Sequence, residues 1–319
     1  GGPARGGPRG TDAGLGIRLS EVTHGPAEEK LRRLPAPSRR EVLDGLEAEL
    51  EAGGIEGARR EAERLVARAL DLQRQDLLLH AAEPVSPEGA GRIAALMRLR
   101  LSGVPLQHIE GTVAFRDLVL LCDDRALIPR PETEQLVQLV MDWAFATRGQ
   151  GVRRVVRPVS GGSPPLERVL DIGTGSGAIA LSLLQEGAAN RVVGVDLSAH
   201  ALDQARENAT RLGLADRLEL RPVRSSPWDA IEAGERFDAI VSNPPYVADG
   251  EIPALQVEVR HHDPREALAG GPDGLEVIRQ ITAEASDHLE PGGAIFLEVG
   301  ASQGEAVARL LEAASAWHH

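Results

Sequence analysis

The four consecutive residues Asn243-Pro244-Pro245-Tyr246 carry the clearest chemical signal in the sequence. They follow an apolar run over residues 237–242 that predicts a buried strand. The Asn side chain offers an acceptor and two donors, the prolines stiffen the chain and lack N–H groups, and the Tyr ring is flat. Together they could hold a planar NH2 group, which predicts methylation of an amide or amino nitrogen. The alternative interpretation is an ordinary Pro-Pro turn after a strand.

A glycine-rich segment upstream predicts a nucleotide site. A short apolar strand runs into residues 171–177, Asp-Ile-Gly-Thr-Gly-Ser-Gly, and a helix is expected to follow. Glycines let the backbone turn tightly and let a ligand approach closely. Asp196 ends the next predicted strand, near the spacing of a carboxylate that binds ribose hydroxyls. Asp196 could instead cap a helix or a turn.

The pattern of glycines and acids favours one cofactor. A dinucleotide enzyme would place Gly-x-Gly-x-x-Gly in this turn, to bring a helix N-terminus against pyrophosphate. This turn has Gly173-x-Gly175-x-Gly177 with Asp171 just before it. An acid there disfavours pyrophosphate and suits the sulfonium and ammonium groups of S-adenosylmethionine, although Asp171 could also only cap the turn. We therefore expect S-adenosyl-L-methionine as the cofactor.

With these motifs the chain resembles the HemK/PrmC family, the protein-(glutamine-N5) methyltransferases that modify peptide chain release factors. Segments 105–111, 128–134, 258–264 and 267–274 extend the likeness. Asn-Pro-Pro-Tyr is shared with adenine-N6 and other amino methyltransferases. The segment Ile-Pro-Arg-Pro-Glu-Thr-Glu at 128–134 is more particular to this family.

The resemblance implies methyl transfer to the side-chain amide nitrogen (N5) of the glutamine in the Gly-Gly-Gln motif of a release factor. The implied catalytic residues are Asn243, Pro244, Pro245 and Tyr246. The expected cofactor-binding residues are Asp171, Ile172, Gly173, Thr174, Gly175, Gly177, Asp196, Leu197, Trp228, Asn243, Phe115, Pro129 and Glu132. Arg130 and Glu134 are further candidates for the wall of the cofactor pocket. No metal site is expected at His261-His262-Asp263.

The order of predicted elements indicates an α/β fold: a doubly wound, Rossmann-like class I methyltransferase domain with a small N-terminal helical domain and a linking β-hairpin. The predicted segments are 1–35 disordered, 36–104 helical and involved in release factor recognition, 105–150 hairpin and linking helix, and 151–319 methyltransferase domain. Family members continue beyond the helix near 302–316. The last two strands are therefore expected to be missing, with an open sheet edge.

The amino-acid composition argues against some classes of binding partner and location. The formal charge of −13 and an aromatic content of 3% argue against a nonspecific grip on nucleic acid. A single cysteine, Cys122, fits a reducing compartment, and no apolar run is long enough to predict a membrane span. We expect a bacterial cytoplasmic protein, with a mitochondrial location as the alternative.

Two other functions stay open from the sequence. The first is an adenine-N6 or other amino methyltransferase acting on nucleic acid, which would need a basic groove and aromatics that stack on bases. The second is a catalytically silent binding protein on the methyltransferase fold. The expected partner is a release factor. Contact with nucleic acid is not expected, except through the ribosome with which that substrate associates.

Overall fold

The computed structural model describes residues 36–147 and 165–313. The N-terminal segment predicted to be disordered and most of the Gly/Pro-rich stretch near 148–167 lie outside the described residues. The chain divides into two compact units, with the division between Gly111 and Thr112. No helix in the described ranges is long and apolar enough to cross a membrane.

The first unit is helical. Its helices are α1 (Arg39–Ala52), α2 (Ala58–Leu70), α3 (Arg74–Leu79), α4 (Pro87–Leu101) and α5 (Leu106–Glu110). Ser38 begins α1 with a capping box, because its hydroxyl accepts from the Glu41 N–H and the Glu41 side chain accepts from the Ser38 N–H. Leu50 and Leu65 are fully buried where α1 and α2 contribute to the core of this unit. Helices α1 to α4 lie within residues 36–104, the segment that the sequence predicts to be helical.

The second unit begins with a hairpin and continues as alternating strands and helices. Its elements are β1 (Thr112–Phe115), β2 (Leu118–Leu121), α6 (Pro131–Thr147), β3 (Leu166–Ile172), α7 (Ala178–Gln185), β4 (Ala189–Asp196), α8 (Ala199–Leu212), β5 (Leu218–Pro222), β6 (Phe237–Ser242), α9 (Val257–His262), α10 (Glu276–Glu284), β7 (Leu289–Leu297) and α11 (Gly304–Ala313). Short 3-10 turns lie at Ala215–Arg217, Ile252–Ala254, Arg265–Ala267 and Ala285–His288.

The main sheet has five parallel strands in the order β5-β4-β3-β6-β7. Neighbouring residues of β3 point to opposite faces: Val169 packs in the core with Leu181 of α7, and Leu170 packs in a second core with Ile281 of α10. Helices thus cover both faces, as the doubly wound prediction requires. Strand β7 forms one edge of the sheet, and no further described strand pairs with it.

The expectation of a hairpin beginning near residue 105 is wrong at its start. Residues 106–110 form the short helix α5, and only residues 112–121 form the antiparallel pair β1–β2. Gly111 ends α5 at a φ of 73°, and its N–H donates to the Gln107 carbonyl. A glycine after an apolar stretch permits this helix end, and alternation alone did not distinguish such a short helix from a strand.

Candidate active site

The glycine-rich loop after β3 has a backbone that only glycine adopts without strain. Gly173, Gly175 and Gly177 have φ angles of 71°, 56° and 83°. The N–H groups of Gly173 and Thr174 both donate to the Val195 carbonyl, at 2.8 and 3.0 Å. The loop is therefore fastened to the carboxyl end of β4, the neighbouring strand.

Asp171 braces this loop from inside. Its Oδ2 accepts from the Thr174 hydroxyl at 2.7 Å and from the Ala180 N–H at 3.2 Å, so it joins the loop to the first turn of α7. The side chain is fully buried, and Oδ1 has no hydrogen-bond partner among the described residues. Burial raises the pKa of Asp171 to about 7, against the lowering effect of the Thr174 hydrogen bond.

Asp196 closes the other side of the loop. Its Oδ2 accepts from the Gly175 N–H at 2.8 Å and its Oδ1 accepts from the Ser198 N–H at 2.9 Å. Burial raises the pKa of this carboxyl, and the two backbone donors lower it. Each oxygen accepts one of these bonds and keeps capacity for another. Leu197, the next residue, is 57% exposed.

Asn208 of α8 connects the loop to the hairpin. Its Oδ1 accepts from the Leu121 N–H at 2.7 Å and its Nδ2 donates to the Ser176 carbonyl at 3.0 Å. The side chain is buried. Both ends of this carboxamide are therefore used, one on β2 and one on the glycine-rich loop.

The Asn-Pro-Pro-Tyr segment begins beside this loop, at the carboxyl end of β6. Ser242 pairs with Ile172 in the sheet register, and its buried hydroxyl donates to the Ile172 carbonyl at 2.7 Å. The Asn243 carbonyl oxygen lies 4.0 Å from the position that a Cβ on Gly173 would take. The two motifs, distant in sequence, thus lie side by side at the same edge of the sheet.

The chain after Asn243 is clamped by a second glycine turn. Val247 exchanges backbone hydrogen bonds with Leu268 and Gly270. A Cβ on Gly274 would lie 2.3 Å from the Tyr246 carbonyl oxygen, so this close approach requires glycine. That carbonyl also accepts from Gln303 Nε2 at 2.9 Å.

A polar cluster surrounds the Asn243 side chain. Asn243 Nδ2 donates to Thr133 Oγ1 at 3.0 Å, and Thr133 lies in the first turn of α6. Glu298 follows β7, and its N–H donates to the Ser242 carbonyl at 3.0 Å. Burial raises the pKa of Glu298, and hydrogen bonding from Thr133 lowers it. Burial also raises the pKa of the Tyr246 hydroxyl, and the charge of Glu298 adds to this effect.

The comparisons with known proteins agree with one another. Residues 41–111 match the PrmC N-terminal domain, and residues 162–263 match the methyltransferase small domain. A release factor glutamine methyltransferase of Cereibacter sphaeroides is 43% identical over 83% of this chain and 86% of its own length. The protein of that name from Bradyrhizobium diazoefficiens is 40% identical over 93% and 91%, and that from Moorella thermoacetica is 38% identical over 88% and 92%.

The chain belongs to the release factor glutamine methyltransferase family. The resemblance drawn from the motifs is thereby confirmed, together with its methyltransferase character. The roles of individual residues in this member of the family stay predictions, and their placement can be compared with what was expected.

The glycine-rich loop and the Asn-Pro-Pro-Tyr segment lie at the same edge of the sheet, whereas the side chains of two aromatic candidates are buried in the core. Phe115 is 1% exposed and packs in the core under the hairpin. Trp228 is 6% exposed, stacks on His288 with ring centroids 4.9 Å apart, and donates its indole N–H to the Gln280 carbonyl at 2.9 Å. This burial disfavours direct contact of either ring with a cofactor, and their assignment stays a prediction.

The residues that lead into α6 and form its first turn contact two different parts of the second unit. Pro129 is partly buried and Glu132 is exposed, and the charge of Glu132 raises the pKa values of Tyr246 and Glu298. Glu134 instead accepts from the Arg116 N–H at 2.9 Å in the hairpin turn. Glu134 therefore supports the hairpin, and Glu132 lies on the side of the Asn-Pro-Pro-Tyr segment.

Two residues near the site, Thr133 and Glu298, were not selected from the sequence. Arg130 was a candidate, but its ion pair with Asp263 was not predicted. The Asp263 side chain is 1% exposed, and Arg130 Nη2 contacts its Oδ2. Glu298 carried an available signal, because it ends a predicted strand of the parallel sheet just as Asn243 does. Thr133 carried none, because a Thr in the first turn of a helix is ordinary.

The loop fits S-adenosylmethionine by its open shape and by the acidic side chains beside it. A Cβ placed on Gly173 or Gly175 would meet no atom closer than 4.0 Å, so the loop is open where a ligand would lie against it. Asp196 keeps acceptor capacity suited to ribose hydroxyls, and buried Asp171 supplies an acidic group behind the loop. Gly173, Thr174, Gly175 and Asp196 are the residues that would hold the cofactor.

Proposed function

We propose that this protein transfers a methyl group from S-adenosyl-L-methionine to the side-chain amide nitrogen of the glutamine in the Gly-Gly-Gln motif of a peptide chain release factor. Family membership supports the reaction and the substrate class. The observation that supports the assignment of the site is the proximity of the two motifs: the Asn243 carbonyl oxygen lies 4.0 Å from the position that a Cβ on Gly173 would take. It sets a cofactor loop directly beside a side chain suited to hold an NH2 group.

The difficulty of the reaction lies with the nucleophile. An amide nitrogen shares its lone pair with the carbonyl group and is a weak nucleophile. When bound, S-adenosylmethionine supplies a methyl group on a cationic sulfur, so the chain need not provide a metal or a covalent intermediate. The task of the protein is therefore to orient the nitrogen and to stabilise the positive charge that develops on it.

Asn243 and Pro244 perform this task in our proposal. The Asn243 Oδ1 and the Pro244 carbonyl oxygen accept the two N–H groups of the substrate amide. Oriented dipoles then oppose the positive charge that forms on nitrogen, and they cost no reorganisation during the reaction. Pro245 stiffens the turn between them and Tyr246.

Tyr246 covers the amide and excludes water from it. Its ring packs with Leu275 and Ile278 of the α10 region, and its backbone is held by Gln303. The ring is therefore fixed before substrate arrives. The nitrogen loses its proton after methyl transfer, so the site needs no strong base.

Mass spectrometry of the substrate tests the proposal. Wild-type protein, S-adenosylmethionine and full-length release factor are incubated, and the peptide that contains Gly-Gly-Gln is sequenced. We expect one added methyl group on the glutamine and none on a release factor with Gln→Ala at that position. Equal methylation of the variant, or methyl groups on adenine in added nucleic acid, would refute the substrate assignment.

The same comparison supports a proposal for the location. The relatives described above are bacterial proteins, and release factors act in the cytoplasm of bacteria. We therefore place the activity in the bacterial cytoplasm. The net charge of −13 is compatible with recognition of a protein partner without a grip on phosphate backbones.

A further inference from the structure

The Asn243 carboxamide has two unlike ends, and the proposed function uses only one of them. Oδ1 can accept an N–H of the substrate amide, whereas Nδ2 can only donate. A rotation of the carboxamide by half a turn would present an NH2 group to an NH2 group. Some feature of the protein must therefore decide which end of the side chain faces the substrate.

Thr133 holds one end of the carboxamide. Its Oγ1 lies 3.0 Å from Asn243 Nδ2, and the Thr133 side chain is 4% exposed. The Thr133 N–H donates to the Arg130 carbonyl at 3.1 Å, which fixes the residue in the first turn of α6. A hydroxyl group can accept or donate, however, so Thr133 alone does not determine the orientation of Asn243.

Glu298 is the acceptor that determines in which direction the Thr133 hydroxyl donates. Its backbone is bound to Ser242, the residue before Asn243. Its Oε2 is buried and has no hydrogen-bond partner among the described residues. Burial raises the pKa of this carboxyl, whereas Thr133, Tyr246 and Asn243, three side chains that carry donor groups, lower it.

An ionised carboxyl group accepts hydrogen bonds and cannot donate them. A Thr133 hydroxyl that donates to Glu298 has only its lone pairs left for Asn243. Those lone pairs require a donor, and Nδ2 is the only donor of the carboxamide. A buried acceptor also gains from each donor turned toward it, because an unsatisfied buried acceptor is costly.

We propose that Thr133 and Glu298 are positioning residues that orient the Asn243 carboxamide, so that Oδ1 faces the incoming substrate amide. The inference rests on the proposed function for its consequence in catalysis. The orientation itself can be tested without any methyl transfer.

The kinetic test removes the Thr133 hydroxyl at constant shape. Thr133→Val should lower kcat roughly ten- to a hundredfold, because the acceptor is then misplaced in part of the population. The Kd for S-adenosylmethionine should stay within about twofold, and the KM for release factor should change less than kcat. Thr133→Ser restores the hydroxyl and should recover most of kcat.

Thr282 provides a matched control. It is also buried and helical, at 3% exposure in α10, but its hydroxyl donates only to helix carbonyls, including that of Ile278 at 2.9 Å. Thr282→Val makes the same chemical change and should leave kcat within about twofold. Wild-type kcat in Thr133→Val, or equal losses in Thr133→Val and Thr133→Ser, would overturn the inference.

Nuclear magnetic resonance reads the orientation directly. The side-chain NH2 signals of Asn243, assigned by their loss in Asn243→Asp, should be alike in wild type and Thr133→Ser and should move in Thr133→Val. Unchanged signals in Thr133→Val would overturn the inference. Wild-type protein that methylates no release factor would refute the proposed function instead, and these signals would still decide the orientation of Asn243.

Discussion

The two halves of the site are held together in different ways. The glycine-rich loop is fixed by contacts between residues that are close in sequence. Asp171 contacts Thr174 and Ala180, which are 3 and 9 residues away. Gly175 contacts Asp196, which is 21 residues away. The Asn-Pro-Pro-Tyr segment is fixed by distant partners. Thr133 is 110 residues from Asn243, and Gln303 is 57 residues from Tyr246.

The kind of contact differs as well. In the loop, acid side chains accept backbone N–H groups, so the acids determine the path of the chain. At Asn243, a side chain instead donates to another side chain, that of Thr133. In our proposals the first half presents backbone to the cofactor, and the second orients one carboxamide.

The largest effect is expected for Asn243→Ala, which should impair catalysis far more than cofactor binding. Asn243→Ala removes an acceptor that acts on the charge developing in the transition state, so kcat should fall by about a thousandfold or more. The loop is held by Asp171 and Asp196, so the Kd for S-adenosylmethionine should change only a few-fold. Methyl transfer to release factor and calorimetry with the cofactor measure the two quantities. Unchanged turnover would contradict the role of Asn243.

The loop half should respond to pH through Asp171. Its pKa is raised from 3.8 to about 7 in the folded protein, so folding favours the protonated form. Its contribution to stability is full below about pH 4 and is lost as pH rises through about 7. Relative to Asp171→Asn, the wild-type free energy of unfolding should fall over this window by up to about 4 kcal/mol.

Denaturant unfolding of both proteins at several pH values measures this difference. Asp196 also has a raised pKa, but it is present in both proteins, and its effect cancels to first order in the comparison. A difference between the two proteins that stays constant from pH 4 to pH 8 would show that Asp171 keeps its charge on folding.

A smaller effect should appear in the clamp of the Asn-Pro-Pro-Tyr half. Gly274 has a φ of 73°, and a Cβ there would lie 2.3 Å from the Tyr246 carbonyl oxygen and 2.6 Å from Gln303 Nε2. Gly213 has a φ of 70°, but a Cβ there would meet nothing within 4 Å. Gly213→Ala should cost about 1 kcal/mol of stability from backbone strain alone, and Gly274→Ala about 3 kcal/mol. Equal losses in urea unfolding would mean that the clamp adapts freely.

The contrast between the halves also explains what the sequence could predict. The strands and helices of the second unit follow from apolar segments separated by turn residues, and the strand predicted at 237–242 has these bounds in the structure. The glycine-rich loop was predictable because its braces are local. The pairing of Ile172 with Ser242 follows from the parallel sheet, in which the carboxyl ends of β3 and β6 share an edge.

Side-chain partners across long sequence separations were not predictable in the same way. Thr133 looks like any residue of a first helical turn until α6 is placed beside Asn243. Trp228 was selected as a cofactor-binding candidate because of its position after β5, but its stacking on His288 and its burial could not be read from the sequence. Local patterns determine elements, whereas the folded arrangement of those elements selects the partners of a polar side chain.

Asn208 has a consequence for how the second unit opens. Its one carboxamide satisfies the Leu121 N–H and the Ser176 carbonyl together. Displacing either the hairpin or the loop would leave one end of the buried Asn208 carboxamide without a hydrogen-bond partner, at a cost of about 1–3 kcal/mol. The local fluctuations of the hairpin and of the glycine-rich loop are therefore coupled. A molecule that binds and rigidifies one of them also reduces the fluctuations of the other.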